Sequence, residues 1–309
     1  MRRILILVLS IFVILLIVFP FVSDGENQPI DPAVRSKSQG SFIETPDGFV
    51  HYKFEGPQNG EIVVLVHGFS MPLFIYEPLS VILQKEGFRV LRFDLFGRGL
   101  SDRPNTNYDP DLFEKQISSL FYFLNIKKPI NLLGTSMGGI IVSDFTLKHP
   151  EKVKKLILIS PGGFPMEIPW IGKLTRLSGI GDYLIKSLGD KTLLKGTKDS
   201  FYEPENFPNF NSLFQEQMQY KGFKQAILSS LRNMPLESFL EKYKQLGFIQ
   251  IPKLLIWGKE DKIIPFKNSS LALETLPGIE FLALEKAGHI PHYESPERVA
   301  PKLLEFLKK

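Results

Sequence analysis

Ile130-Asn131-Leu132-Leu133-Gly134-Thr135-Ser136-Met137-Gly138-Gly139-Ile140-Ile141-Val142 is the stretch from which the fold is read. Residues 130–133 form the short apolar run of a buried parallel strand, and residues 137–149 carry a helical pattern that Pro150 stops. Between them Gly134, Ser136 and Gly138 make a Gly-x-Ser-x-Gly motif. A strand that turns abruptly into a helix holds the residue at the turn in a strained conformation, its side chain projecting from the sheet edge, and flanking glycines let neighbouring backbones come close. Ser136 is therefore the candidate nucleophile. The Met137 N–H, at the start of the helix, faces the place where a tetrahedral oxyanion would develop, and the helix dipole adds positive potential there.

Outward from this stretch, β-rich runs alternate with helical periods, the mark of βαβ units around a mostly parallel sheet and hence of an α/β fold. Residues 41–45 and 49–54 predict an opening antiparallel pair turned at Pro46-Asp47-Gly48, and residues 61–66, 88–93, 155–160, 253–257 and 279–284 predict further buried strands. Helices are predicted over residues 77–85, 111–124 and 269–276, and over a C-terminal segment that Ser295 caps and Pro296 opens. Pro301 inside that last helix removes a backbone bond, which predicts a kink or a delayed start. Residues 163–246 interrupt the alternation with helical patterns, Pro/Asn turns and scattered aromatics such as Trp170, Phe201 and Phe214. The body thus divides into a core of residues 41–162 and 247–309 and an inserted helical segment.

A serine hydroxyl needs a base, and the histidines available are His51, His67, His149, His289 and His292. His289 follows the last strand, where a loop at the carboxyl edge of the sheet can return over Ser136; it is the candidate base. His292, just before the C-terminal helix, suits a packing or hydrogen-bonding role, and His51 and His149 read as structural or surface residues. The orienting carboxylate is expected at Asp261, with Glu260 as the alternative, because a short loop aims one of two adjacent side chains inward. The second oxyanion donor is expected at the Phe69 N–H, since Gly68 allows close backbone approach, and His67 beside it reads as a structural hydrogen-bonding residue. No His/Asp/Glu cluster has ligand spacing, so neither metal nor cofactor is called for.

The 309 residues contain no cysteine, which excludes disulfides and cysteine-ligated metals. Of the net charge of +4, Arg2 and Arg3 supply half and no Lys/Arg block exceeds short pairs, so nucleic acid is not an expected partner. Residues 4–22 form a charge-free, almost wholly apolar run that, at about 1.5 Å per residue, matches a hydrocarbon core of roughly 30 Å. Phe21 stands where a cleavage site would want a small residue, which favours an uncleaved anchor within residues 1–23 over a cleaved signal. Arg2 and Arg3 then place the N-terminus in the cytoplasm and the body outside it; cleavage would leave the body secreted or periplasmic. Residues 24–40, rich in Asp, Gly, Gln, Pro and Ser, read as a flexible tether.

Five landmarks stand in order along the chain: His67-Gly68-Phe69; Phe93-Asp94-Leu95-Phe96-Gly97-Arg98-Gly99-Leu100-Ser101; the motif around Ser136; Trp257-Gly258-Lys259-Glu260-Asp261; and Gly288-His289-Ile290-Pro291-His292-Tyr293-Glu294. In these the chain resembles an α/β-hydrolase-fold protein over residues 41–309. The resemblance implies an α/β-hydrolase fold, a mostly parallel eight-stranded sheet with strand two antiparallel, helices on both faces, and residues 163–246 as a cap over the active site. It implies that Asp94 and Arg98 are scaffold of the loop after strand four. A serine at position 136 argues against haloalkane dehalogenases and epoxide hydrolases, whose nucleophile is Asp, and favours the group of carboxylesterases, monoacylglycerol lipases and carbon-carbon hydrolases. The expected function is hydrolysis of carboxylic esters with apolar acyl groups, a small-molecule substrate, by Ser136, His289 and Asp261 through an acyl-enzyme. A carbon-carbon hydrolase or perhydrolase on the same residues, and a ligand-binding receptor without turnover, are the alternatives.

Overall fold

The computed structural model describes residues 2–309, the side chains of residues 2, 8, 11–17 and 21 excepted. Its centre is an eight-stranded sheet of β1 (Ser41–Thr45), β2 (Gly48–Glu55), β3 (Ile62–Val66), β4 (Arg89–Phe93), β5 (Ile130–Thr135), β6 (Val153–Ile159), β7 (Lys253–Gly258) and β8 (Glu280–Leu284). The spatial order is β1-β2-β4-β3-β5-β6-β7-β8, with β2 antiparallel to both its neighbours and the remaining pairs parallel. Strands β3, β5 and β7 are almost entirely buried because helices cover both faces, which is why they read as continuous apolar runs rather than alternating ones. Two apolar clusters result, one on each face, with Val64, Leu132 and Trp257 in the first and Val63, Leu133 and Ile256 in the second. Each such side chain contributes about 1.5–3 kcal/mol of burial.

The helices are α1 (Arg2–Ser23), α2 (Pro32–Lys37), α3 (Glu77–Lys85), α4 (Pro110–Phe123), α5 (Met137–Lys148), α6 (Trp170–Thr175), α7 (Ile180–Asp199), α8 (Phe210–Met218), α9 (Phe223–Asn233), α10 (Leu240–Gly247), α11 (Asn268–Thr275), α12 (Pro291–Glu294) and α13 (Pro296–Lys308). Helices α6 to α10 lie between β6 and β7, inserted where the strand-helix alternation breaks. The apolar run of residues 4–22 falls on α1, but the side chains of residues 11–17 lie outside the described residues. Among the described residues no helix is long and apolar enough to cross a membrane.

Two expectations are corrected. Helix α13 starts without delay at Pro296 and includes Pro301, its buried face of Val299, Ala300, Leu303, Phe306 and Leu307 holding it against the core while Pro301 itself is exposed. Residues 24–40 are not a loose tether. Asp31 caps α2 by accepting from the Val34 N–H at 2.9 Å, and Arg35 pairs with Asp102 at 2.5 Å and lies 4.1 Å from the centre of the Phe49 ring. Upstream, the Glu26 carboxylate accepts the Gly222 and Lys224 N–H groups at the N-terminus of α9, and the buried Lys224 ammonium sits 3.0 Å from both Asp24 and Asp190. A polar segment was misread as loose because its charges are satisfied by residues far along the chain.

Replacing Lys224 with Met would leave Asp24 and Asp190 facing each other without a cation. We expect a loss on the order of 2 kcal/mol in urea unfolding, since both partners are partly exposed, with faster proteolysis within residues 24–30. Unchanged proteolysis there would show that the segment does not depend on this ion pair.

Candidate active site

Strand β5 enters α5 through Ser136, whose backbone adopts φ 57° and ψ −121°. That conformation is strained for a residue with a side chain and persists only because its surroundings impose it. The Ser136 N–H donates to Ile159 O at 3.0 Å, and its carbonyl accepts from Gly139 and Gly162, both at 2.9 Å. The motif glycines are required by proximity: a Cβ on Gly138 would lie 2.2 Å from Val66 O, and one on Gly134 would lie 2.3 Å from Gly138 O. Backbone is on the other side of each contact, so neither clash is relieved by a rotamer change.

The structure places His289 in the loop after β8 and Asp261 in the loop after β7. His289 Nδ1 lies 2.8 Å from Asp261 Oδ2, while Asp261 Oδ1 accepts the Ile263 and Ile264 N–H groups at 2.8 and 2.9 Å. A carboxylate already accepting on its other oxygen assigns the proton to Nδ1, leaving the Nε2 lone pair free. Glu260 does not approach the ring; its carboxylate accepts the Ala287 N–H at 3.1 Å and braces the loop that carries His289.

Ser136 and His289 line one cavity of about 170 Å³, closed by Phe69, Met71, Ile290 and, from α7, Leu193. A larger open hollow of about 760 Å³ lies between residues 28–39 and the loop at Leu73, but its lining includes neither Ser136 nor His289. Gly68 crosses so close to the serine that a Cβ there would be 3.1 Å from Ser136 Cβ. The next N–H, that of Phe69, and the Met137 N–H at the first turn of α5 have no protein acceptor among the described residues. Two free donors beside a serine hydroxyl are what an oxyanion requires.

The remaining histidines are held elsewhere. His51 Nδ1 contacts Asp94 at 2.7 Å and Nε2 contacts Gln39 O at 2.7 Å, and His149 Nε2 contacts Glu114 at 2.8 Å. His292 is fully buried against the Tyr76 ring, with no protein partner for either nitrogen among the described residues, and burial pulls its pKa down to about 3. His67 Nε2 accepts from the Leu95 N–H at 2.9 Å and Nδ1 lies 3.0 Å from Gly68 O; burial pulls its pKa down to about 4. Two residues near the site escaped the sequence reading. Tyr76 hydrogen-bonds Val66 O and the Thr135 hydroxyl, each at 2.8 Å, and Glu294 joins Gly288 N–H to Tyr202 N–H, each at 2.7 Å. Glu294 lies in a landmark whose spacing alone could have marked it; Tyr76 has no local signature.

Several known proteins share this arrangement of strands and loops. The family model described as alpha/beta hydrolase fold matches residues 61–296. The AB hydrolase superfamily protein YisY of Bacillus subtilis is 28% identical over 86% of this chain and 98% of that protein. Lipase 1 of Psychrobacter immobilis is 26% identical over 82% of this chain and 79% of its own length. Among solved structures, the esterase EaEST from Exiguobacterium antarcticum superposes with a TM-score of 0.72 at 26% identity, covering 88% of this chain and 100% of the esterase.

The neutral His67 makes stability pH-dependent. Its folded pKa lies below the unfolded value of about 6.5, so the unfolded chain takes up the proton first, and stability present above pH 6.5 is lost as pH falls through about 4. The loss is on the order of 3 kcal/mol. We expect His67→Asn to be less stable than the wild type at pH 7 and to lose less stability between pH 6.5 and 4 in urea titrations. Parallel slopes for the two proteins would contradict this.

Proposed function

The chain belongs to the α/β-hydrolase fold family, and from that premise we propose that it is a serine hydrolase of small, apolar carboxylic esters. The observation that carries the reading is Ser136, held at its strained turn on the wall of the same cavity as a histidine whose Nδ1 is fixed by a buried carboxylate. The kinship with lipases and esterases supports it.

In this mechanism Ser136 Oγ attacks the ester carbonyl while His289 Nε2 takes the hydroxyl proton. The carbonyl oxygen becomes an oxyanion held by the Phe69 and Met137 N–H groups. Asp261 stabilises the imidazolium and keeps the ring in register. As the tetrahedral intermediate collapses, the C–O bond to the alcohol breaks and the alcohol leaves with the proton from His289. Water then attacks the acyl-Ser136 ester, giving its proton to His289, and the second collapse returns that proton to Ser136 and releases the acid. The cavity, at about 170 Å³ and with Phe69, Met71, Leu193 and Ile290 on its walls, is smaller than the roughly 300–1,000 Å³ usual for ligand pockets. With α7 in this position it favours short acyl groups, and longer ones require α7 to yield.

Fluorophosphonate labelling of the detergent-solubilised chain tests the nucleophile. Labelling and nitrophenyl ester turnover are expected in the wild type and absent in Ser136→Ala, with His289→Ala nearly as inactive and Asp261→Asn retaining some activity. A fully active Asp261→Asn would show that the Asp261 carboxylate is not needed to orient His289, and a correctly folded wild type that binds esters without labelling would move the reading to a receptor. A parallel assay with a ring-cleavage diketone separates ester from carbon-carbon hydrolysis.

We infer further that residues 4–22 anchor the chain in a membrane with the body outside the cytoplasm, on the strength of their length, their lack of charge and the preceding Arg2 and Arg3. The full chain is expected in the pellet after carbonate extraction and a chain starting at residue 24 in the supernatant. Full-length chain released by carbonate would overturn the anchor.

A further inference from the structure

The loop that carries the Phe69 donor is held by its carbonyls. Three consecutive ones, of Gly68, Phe69 and Ser70, each accept from a side chain: His67 Nδ1 at 3.0 Å, Arg98 Nε at 2.8 Å and Gln217 Nε2 at 2.7 Å. A peptide unit is planar, with C=O and N–H pointing in opposite directions. Fixing Gly68 O therefore fixes the direction of the Phe69 N–H, and fixing Phe69 O and Ser70 O sets the peptide planes that follow.

Two of these three side chains belong to, or are held by, the helices inserted between β6 and β7. Gln217 lies on α8; its Oε1 accepts the Gly99 N–H at 2.9 Å, so both ends of the amide are used and its orientation is determined by its partners. Arg98 is completely buried and has no carboxylate within ion-pair reach among the described residues. Such burial is costly, and what offsets it is the set of acceptors: Phe69 O, Phe96 O at 3.2 Å and, on α9, Ser230 Oγ at 2.8 Å. The guanidinium also lies 5.7 to 5.8 Å from the ring centres of Phe69, Tyr108 and Phe113. Arg98 thus spans from the oxyanion loop to α9 as Gln217 spans from it to α8.

We propose that the inserted helices are part of the catalytic apparatus, with Gln217 and the Arg98–Ser230 pair acting as positioning residues that hold the two peptide planes after Phe69 and so keep the Phe69 N–H, whose own plane His67 orients, at the oxyanion. This rests on the serine-hydrolase reading above and extends it: the segment that covers the cavity also sets the strength of the oxyanion hole. A ligand or substitution that breaks the hydrogen bonds of Gln217 or of the Arg98–Ser230 pair would change the rate of the chemical step even where the acyl site is untouched.

The test uses full-length Gln217→Met, Gln217→Glu and Ser230→Ala, with Phe214→Leu as control, since Phe214 is a buried residue of α8 whose side chain supplies none of the braces' hydrogen bonds. Ser230→Ala removes one hydroxyl and keeps the proposal testable where a Gln217 variant fails to fold. Losing an oxyanion donor outright costs on the order of 10²–10³ in kcat, and misaiming one costs less. Expected are a fall of about tenfold or more in kcat for both Gln217 variants and a smaller fall for Ser230→Ala, with KM within about threefold of wild type. The rate of fluorophosphonate labelling should fall in parallel, because the phosphoryl oxygen occupies the same hole. Phe214→Leu should lower Tm while keeping kcat. The proposal is overturned by a rise in KM with kcat unchanged, or by a loss of kcat no larger than in Phe214→Leu. A folded wild type that neither labels nor turns over an ester overturns the hydrolase reading first, and this inference with it.

Discussion

Everything at the candidate site depends on one strained backbone, that of Ser136 between β5 and α5. A residue at φ 57° is stable only if its neighbours leave it no alternative, and they do so by contact. The carbonyls of Val66 and His67 press on α5 where Gly138 lacks a side chain, and α5 in turn presses on β5 where Gly134 lacks one. The same closeness brings the loop after β3 against the serine, so the constraint that exposes the hydroxyl also delivers the Phe69 N–H. Strain and oxyanion donor have a common origin in the near contact of β3, β5 and α5.

The loop after β3 is then stabilised by a second buried centre. Asp94, at the end of β4, accepts from Leu73 N–H at 2.8 Å, from Leu100 N–H at 2.9 Å and from His51 at 2.7 Å. His51 faces two acceptors, Asp94 and the Gln39 carbonyl, so both its nitrogens must donate and the ring is an imidazolium. The hydrogen bond and charge of Asp94 raise the His51 pKa against the opposing effect of burial, and the same bond helps hold the Asp94 carboxyl below its ordinary range. One carboxylate thereby ties together β2, residues 37–40, the loop after β3 that borders the nucleophile and the loop after β4.

What the sequence made legible was whatever a local pattern could record. The buried strands were visible because a parallel sheet covered on both faces leaves uninterrupted apolar runs, and the turn at Ser136 because only glycine fits on either side of it. Asp261 and His289 were visible because each follows a strand at the same sheet edge. Gln217 and Ser230 were not, because a glutamine and a serine in amphipathic helices carry no sign of a partner more than a hundred residues away. Glu26 and Lys224 were missed for the same reason: composition registers that a segment is polar and says nothing of whether distant charges will satisfy it. Pro301 was overestimated because helix propensity is a weaker term than the burial of Leu303, Phe306 and Leu307.

The inserted helices meet two demands that pull in opposite directions: rigidity where they brace the oxyanion loop and displacement where a substrate must enter. The helices differ in how much of themselves they bury. Helix α9 buries most of its first two turns, and α8 buries Phe210, Phe214, Gln217 and Met218. Helix α6 buries none of its residues, and α7 buries only Gly181, Gly189 and Thr197 over 20 residues. Local opening is cheapest where few apolar contacts are lost, so α6 yields before α8 or α9. Helix α7 contributes Thr192, Leu193 and Gly196 to the cavity wall, so it is the element that a longer acyl group has to displace. Its C-terminal end is tied to the base through the Ser200 carbonyl, which accepts the His289 N–H at 2.8 Å, and its Asp190 pairs with Lys224 on α9 at 3.0 Å, so enlarging the cavity through α7 is coupled to both the base and the helix that carries Ser230.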